Sequence, residues 1–137
     1  MFIDVDVSVG DDCKIQNYAC LYRGLRVGQG VFIGPHVVFA NDKHPRATDR
    51  EFNVLTDEAW ECGSTVVADG ASIGASATIL SNVTVGAWSL VGAGALVTSD
   101  VPPHTLVVGA PARQVARVCD CGARTDGSRC KRCGAAP

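Results

Sequence analysis

A polar segment near the middle of the chain carries side chains suited to proton transfer and to the binding of a polar substrate. His44 is one of three histidines, and because an imidazole titrates near neutral pH it is the candidate general base. Asn41 and Asp42 could orient an attacking group or bind substrate hydroxyls, and Arg46 could bind a diphosphate or a carboxylate. Each residue also has an alternative explanation without a role in function. His44 could be a solvated loop histidine, and Asn41 and Asp42 could cap the backbone of their own loop. Arg46 could form a surface ion pair with Asp42 or Asp49.

Four cysteines near the end of the sequence form two pairs, Cys119-x-Cys121 and Cys130-x-x-Cys133, separated by eight residues and each followed by a glycine. Such pairs are typical of the two knuckles of a small zinc ribbon, in which four thiolates bind Zn²⁺ tetrahedrally. A structural metal would supply the folding energy that this short polar segment lacks. The first pair is tighter than the usual spacing, and a disordered or redox-active tail is the alternative.

The composition is that of one globular domain: 137 residues, 47% hydrophobic and 19% charged. No apolar run approaches the roughly 18 residues needed to cross a membrane, and Asp4 and Asp6 stand where a signal peptide would carry basic residues. We therefore expect a cytoplasmic protein without a membrane partner, in which cysteines are reduced thiols or metal ligands.

The net charge of −2 conceals an asymmetry. Residues 1–112 hold 6 basic and 12 acidic side chains, whereas residues 113–137 hold 6 basic and 2 acidic ones. A basic end suits nucleic acid, but it suits equally a ligand that carries several phosphates. Because the tail lacks the aromatic side chains on which bases stack, we expect no nucleic-acid partner.

A six-residue period provides the framework that positions these groups. It matches neither the 3.6 residues per turn of an α-helix nor the turn spacing of a hairpin meander. Smaller residues recur four positions later, and glycine often follows directly, where a sharp bend favours a residue without Cβ. One short strand and one bend per hexad, with three sides per coil, predict an all-β parallel β-helix. Large apolar residues occupy thirteen positions of this period: Ile3, Val9, Ile15, Leu21, Val27, Ile33, Phe39, Val67, Ile73, Ile79, Val85, Val91 and Val97.

Two features interrupt the period. The spacing across residues 40–66 is not a multiple of six, so these residues are predicted to form a loop that protrudes from the coils. Polar loops on rigid scaffolds commonly carry function. After Val97 a run that contains two prolines ends the regular coils. We therefore predict a β-helix domain over residues 1–112 and a basic, cysteine-rich tail over residues 113–137.

Four segments carry a resemblance to a known family: CKIQN at 13–17, GVFIGPHVVFANDKHPRA at 30–47, GASIGASATIL at 70–80, and VGAGALVTSDVPPHTLVVGAPARQV at 91–115. On these segments the chain resembles the hexapeptide-repeat acyltransferases, and among them the N-acetyltransferases that act on 3-amino groups of nucleotide-linked sugars. The resemblance implies a left-handed coil, acetyl-CoA as the acyl donor and a homotrimer. In that branch additional coils usually precede the first segment, whereas here only twelve residues do.

The resemblance also implies roles for residues near the acceptor. His44 followed by Pro45 matches the general base of sugar O-acetyltransferases in the wider family, whereas a neutral sugar amine can attack unaided. Asn17 matches a position that faces the sugar; the alternative is that this asparagine only forms a ladder with its neighbours. The pattern Asn41-Asp42-x-x-Pro45 followed by arginine is the narrower mark of the amino-sugar branch.

For the coenzyme, the resemblance implies a groove between neighbouring coil stacks in which small residues matter most. Arg113 and Arg117 follow the last coil and suit the phosphates by bidentate contact. The backbone N–H near Ala93 could serve the thioester carbonyl. Small residues are also what coil geometry alone requires, which is the alternative explanation. The residues that match the groove are Ala75, Gly92, Ala93 and Thr98.

Three functions follow as hypotheses. The first is an N-acetyltransferase that acetylates a nucleotide-linked amino sugar with acetyl-CoA. The second is an O-acetyltransferase of a sugar or small metabolite, with His44 as the general base. The third is a β-helix interaction module without enzymatic activity, since a scaffold would show the same period.

Overall fold

The computed structural model describes residues 1–136, and nearly all of its regular structure consists of short strands. One 3₁₀ turn, Asp57–Ala59, is the exception within these residues. No helix in this part of the chain is long and apolar enough to cross a membrane. The strands are β1 (Phe2–Ile3), β2 (Ser8–Val9), β3 (Lys14–Ile15), β4 (Cys20–Leu21), β5 (Leu25–Val27), β6 (Phe32–Ile33), β7 (Val38–Phe39), β8 (Thr65–Val67), β9 (Ser72–Ile73), β10 (Thr78–Ile79), β11 (Thr84–Val85), β12 (Leu90–Val91), β13 (Leu96–Val97), β14 (Thr105–Val108), β15 (Arg113–Val118) and β16 (Arg124–Thr125).

Each coil contributes one strand to each of three sheets. The first sheet has the order β1-β4-β7-β10-β13, the second β11-β8-β5-β2, and the third β16-β15-β14-β12-β9-β6-β3. Pairs between coils are parallel, and the N–H groups of one coil donate to carbonyl groups of the next, as from Phe2 to Ala19 (2.8 Å) and from Gly10 to Val27 (2.8 Å). The chain is therefore a three-sided parallel β-helix, which confirms the predicted all-β architecture.

The predicted inward positions form the core of this prism. In the first sheet Leu21, Phe39, Ile79 and Val97 stack on one another, and each is at most 1% exposed. Burial of such a side chain stabilises the fold by about 1.5–3 kcal/mol. At the beginning of the stack Ile3 is 46% exposed, because no coil of the described chain lies beneath it.

Glycine is required after the inward positions for a reason other than the bend that the sequence predicted. A Cβ on Gly74 would lie 2.5 Å from the backbone nitrogen of Ala93 in the next coil, and a Cβ on Gly34 would lie 2.8 Å from that of Ala75. The bend itself comes two residues further on, where His36 has a positive φ of 59°. Close stacking of the coils therefore requires the glycines, and the prediction that they form the bend is wrong.

Both predicted interruptions of the coils differ from the structure in their bounds. The protruding loop covers residues 40–64 rather than 40–66, because β8 already pairs with β5 from Thr65 onward. The coils also continue beyond Val97, since β14 pairs in parallel with β12 and Val101 bridges to the second sheet. The corner between Val97 and Val101 is shorter than a hexad requires, which conceals the period in the sequence.

The tail begins by extending the third sheet. β15 turns back and pairs antiparallel with β14, so that Arg113 lies opposite Val108 and Arg117 opposite Thr105. β16 then pairs antiparallel with β15. The division at residue 112 stays a prediction, since β15 belongs to the same sheet as the coils.

Candidate active site

The corner between the first and second sheets, from which residues 40–64 protrude, carries the predicted catalytic segment; we call it the loop edge. The two ends of the loop meet where the N–H of Gly63 donates to the carbonyl oxygen of Asn41 (2.7 Å). The side-chain amide of Asn41 donates to the carbonyl oxygen of Arg23 on the preceding coil (3.1 Å). Asn41 therefore anchors the loop to the coil, in addition to any part that it plays in catalysis.

Asp42 and Arg46 contact backbone groups of their own loop. The Asp42 carboxylate accepts a hydrogen bond from the N–H of His44 (2.8 Å), and the Arg46 guanidinium donates to the carbonyl oxygen of Pro45 (2.8 Å). Among the described residues Arg46 forms no ion pair with Asp42 or Asp49, so the alternative of a surface pair is not what the structure shows. The imidazole of His44 and the guanidinium of Arg46 are both exposed to solvent.

The tip of the loop is a small closed turn. Thr48 and Val54 form an antiparallel bridge, and the side-chain amide of Asn53 donates to Asp49 (2.9 Å). The side-chain and backbone hydrogen bonds from Asn53 lower the pKa of the Asp49 carboxyl below its usual value. Asp49 is therefore engaged in holding the tip together.

A cleft of about 270 Å³ lies between the loop and the following coil. Sequence reasoning did not single out Trp60, whose ring centroid lies 5.1 Å from the Arg23 guanidinium, or Asn82, whose side-chain oxygen accepts from the N–H of Ser64 (2.9 Å). The signal that could have identified Asn82 is the pairing of β7 with β10. This pairing places the residues that follow β10 beside Asn41, which follows β7. The side chains that line the cleft include Asp42, His44, Arg46, Trp60, Ser81 and Asn82.

The corner between the third and first sheets, which we call the small-residue edge, is a ladder of backbone bonds. The N–H of His36 donates to the carbonyl oxygen of Asn17 (3.1 Å), and that of Gly94 to Ala75 (2.8 Å). Within residues 1–136 the N–H of Ala93 donates to no protein acceptor, and Ala93 is exposed. This N–H is therefore available to a ligand, and its role toward the thioester carbonyl stays a prediction.

The two edges lie at opposite ends of the first-sheet strands in one chain. Asn17 precedes β4, whereas Asn41 follows β7, the strand paired with β4. Gly92 follows β12 in the third sheet and so belongs, like Asn17, to the small-residue edge, away from His44. Thr98 follows β13 and lies at the loop edge, so the structure separates it from the other predicted coenzyme residues.

The two arginines predicted for the coenzyme phosphates lie at opposite ends of β15. Arg113 pairs with Val108, whose side chain lies beside Gly92 at the small-residue edge. Arg117 pairs with Thr105 and lines a separate cleft at the corner between the second and third sheets, which we call the tail edge. Four residues of extended strand span roughly 13 Å, so the two arginines start from well-separated positions on β15, and of the two only Arg113 lies beside the small-residue edge.

The four tail cysteines lie together at the tail edge. All four Sγ atoms are within 4.8 Å of one another, with 3.6 Å between Cys119 and Cys133 and 3.6 Å between Cys121 and Cys130. Backbone N–H groups of Cys133 and Arg132 donate to the sulfur of Cys130 and lower its pKa to about 6. The structure thus brings the four predicted ligands together in a group that could hold a metal ion.

A prism of six-residue strand-and-corner units, with a polar loop at one corner and small residues at another, defines the class of hexapeptide-repeat β-helix proteins. Residues 6–41 and 64–99 match the family model described as bacterial transferase hexapeptide (six repeats). The chain belongs to this family, and the left-handed winding of its coils is confirmed by the same relationship.

Relatives in the family include enzymes of different acceptor type. The chain is 33% identical over 113 residues to a putative acetyltransferase of Schizosaccharomyces pombe, covering 74% of this chain and 49% of the relative. It is 46% identical over 59 residues to the dTDP-3-amino-3,6-dideoxy-alpha-D-galactopyranose 3-N-acetyltransferase of Aneurinibacillus thermoaerophilus, covering 43% of this chain and 31% of the relative. It is 32% identical over 121 residues to the serine acetyltransferase of Escherichia coli, covering 85% of this chain and 43% of the relative. The chain spans half or less of the length of each.

A solved structure of similar fold contains the coenzyme. It is a hexapeptide-repeat acetyltransferase of Vibrio cholerae in complex with acetyl-coenzyme A, with a TM-score of 0.64 and 31% sequence identity. The match covers 85% of this chain and 64% of that chain.

Proposed function

We propose that this chain is an acetyltransferase that transfers an acetyl group from acetyl-CoA to the amine of a nucleotide-linked amino sugar, in the cytoplasm where that donor is available. The observation that carries the proposal is the polar cleft at the loop edge, to which the exposed side chains of His44 and Arg46 contribute. The likeness to a 3-N-acetyltransferase over 59 residues supports an amine as the acceptor.

The cleft is sized for part of such a substrate. A volume of about 270 Å³ is at the lower end for a ligand pocket, so it would hold the sugar ring and leave the nucleotide outside. The Arg46 guanidinium donates to one carbonyl oxygen and retains further N–H groups for a diphosphate. Asp42 and Asn82 border the cleft and supply acceptors for sugar hydroxyls, as Asn17 would from a neighbouring chain.

The reaction needs only groups that acyl transfer ordinarily uses. The neutral amine attacks the thioester carbonyl carbon, a C–N bond forms, the C–S bond breaks, and the proton lost by the amine passes to the leaving thiolate. His44 would carry that proton, and the N–H of Ala93 would donate to the oxyanion, an interaction worth about 10²–10³-fold in rate. Zinc has no part in this chemistry, so a metal in the tail would be structural.

We propose further that three chains assemble so that the loop edge of one meets the small-residue edge of the next. The support is that one chain holds these edges apart, at opposite ends of the first-sheet strands, so a single chain does not present a complete site. Light scattering should give the mass of a trimer. Mixing chains inactivated at the loop edge by Asp42→Ala together with Arg46→Ala with chains inactivated at the small-residue edge by Gly92→Val should restore part of the activity, because some sites then combine two intact edges. A monomer with full activity would contradict the assembly.

The direct test is incubation with acetyl-CoA and a panel of nucleotide-linked 3-amino sugars, followed by mass spectrometry for a gain of about 42 Da per acetyl group. Matched sugars that carry a hydroxyl in place of the amine are the control. Acetylation of amines alone supports the proposal. Binding of neither acetyl-CoA nor any sugar would refute it and would leave an interaction module.

The second candidate is an O-acetyltransferase of a sugar or small metabolite. It is favoured by the exposed imidazole of His44 at the cleft, since a hydroxyl needs a general base, and by the likeness to a serine acetyltransferase over 85% of the chain. Acetylation of hydroxyl acceptors but not of amines in the same panel would select this function.

A further inference from the structure

The cysteine cluster is built by two similar turns. In the first, the N–H of Gly122 donates to the carbonyl oxygen of Cys119 (2.8 Å); in the second, the N–H of Gly134 donates to that of Cys130 (2.8 Å). Both glycines have positive φ, 82° and 74°, a conformation that other residues adopt only with strain. Each turn thus presents one pair of thiols, and the two turns face each other across the cluster.

The sulfur geometry distinguishes a metal from disulfides. With Zn–S bonds of about 2.3 Å, the edges of a regular ZnS₄ tetrahedron are about 3.8 Å. The Cys119–Cys133 and Cys121–Cys130 distances of 3.6 Å are close to this value and far from the roughly 2.05 Å of a disulfide bond. We propose that the four thiolates bind one Zn²⁺ ion, which fastens the tail to the coils.

The surroundings of the cluster fit a charged metal centre. Among residues 119–136 only Cys130 is buried, so apolar burial cannot hold the segment together. Four thiolates around Zn²⁺ leave two negative charges, and two basic side chains bind the backbone of the turns that hold the thiols. The guanidinium of Arg132 donates to the carbonyl oxygen of Cys121 (3.1 Å), and that of Arg129 to the carbonyl oxygen of Gly134 (2.8 Å). These two arginines thus lie beside the turns that would carry the negative charge of the metal centre.

The metal would hold β15 against the last coil. Directly before the cluster the N–H of Val118 donates to the carbonyl oxygen of His104 (2.9 Å), and Asp120 lies 3.3 Å from the His104 imidazole. β16, inside the ribbon, pairs with the same end of β15. The ion would therefore fix one end of β15, the strand that bears Arg113 at its other end. In this way it would hold the last two strands of the third sheet, β15 and β16, against the coils.

Metal content of the purified full chain tests the assignment. Inductively coupled plasma mass spectrometry should find about one zinc per chain in the wild type and in Cys62→Ser, a matched control at an exposed loop cysteine outside the cluster. Cys121→Ser and Cys130→Ser should lose at least about tenfold in affinity for zinc, measured by competition with a chromophoric chelator. Iron in place of zinc, or two disulfides detected by intact mass, would overturn the proposal.

Hydrogen exchange of the wild type separates loss of metal from global misfolding. Removal of zinc by a chelator should increase amide exchange in residues 113–118 at least about tenfold and leave that of residues 72–97 unchanged. Unchanged exchange in both segments would refute the fastening role. The acetyl-transfer assay is independent of these measurements, so either proposal can fail alone.

Discussion

The core of the first sheet provides a quantitative test of the stack. Ile79→Ala removes three carbons from a side chain with no exposed surface. At about 0.8 kcal/mol per carbon the lost transfer energy is about 2.4 kcal/mol, and the cavity that remains raises the expected loss to about 3–4 kcal/mol. Urea denaturation followed by circular dichroism should show a lower midpoint with an unchanged slope.

The matched control is Ile3→Ala, at the same position of the period in the same sheet. Because Ile3 is 46% exposed, about half of the transfer energy is at stake and no closed cavity forms, so we expect a loss of about 1 kcal/mol. Measurements over a tenfold range of protein concentration separate unfolding from dissociation. Equal losses for both variants would refute the reasoning, since they would mean that the first coil is covered in solution.

Three further predictions concern the site and the stacking of the coils. His44→Ala should reduce kcat/KM about 10²–10⁴-fold for a hydroxyl acceptor but less than about tenfold for an amine, and equal losses would make the imidazole an obligatory base for both. Arg113→Ala should raise the KM for acetyl-CoA about tenfold more than Arg117→Ala, because only the former lies at the small-residue edge; equal effects in steady-state kinetics would contradict this assignment. Gly74→Ala should lower the Tm more than Gly30→Ala, because its Cβ would lie 2.5 Å from a backbone nitrogen of the next coil, whereas at Gly30 only the positive φ of 63° opposes a side chain. Calorimetry that ranked these two variants in the opposite order would exclude the stacking explanation.

The fold was predictable because one inward residue per hexad is a strong and redundant signal. Thirteen positions carry it, and the stacking of Phe39 on Leu21, three hexads earlier in the chain, follows once three sides per coil are assumed. The stacking of Ile79 on Phe39 depends in addition on where the chain re-enters the coil after the loop. The end of the stack was not predictable, since the short corner before Val101 removes the period although the strand pairing continues. The return of the chain in β15 left no periodic trace, because an antiparallel strand on a sheet edge needs no hexad.

Individual site residues were easier to predict than their grouping. His44 and Arg46 were singled out by residue type, and the structure places both at one cleft. Thr98 was grouped with Gly92 although six residues along a three-sided coil lead to the next corner, which is a property of the fold and not of residue type. The four cysteines were grouped correctly because their spacing is local and does not depend on how the coils stack.

The position of the loop explains why the acceptor is harder to infer than the donor. Residues 40–64 leave the prism at a corner, and the strands on either side keep their partners, as Phe39 does with Ile79 and Val27 with Val67. An insertion at a corner therefore changes the cleft without disturbing the ladder, so its sequence is free to vary with the acceptor. The small-residue edge has no such freedom, because a Cβ on Gly74 would lie 2.5 Å from the next coil. The coil thus constrains the surface proposed for the coenzyme, while the choice of acceptor would fall to the one segment that the coil does not constrain.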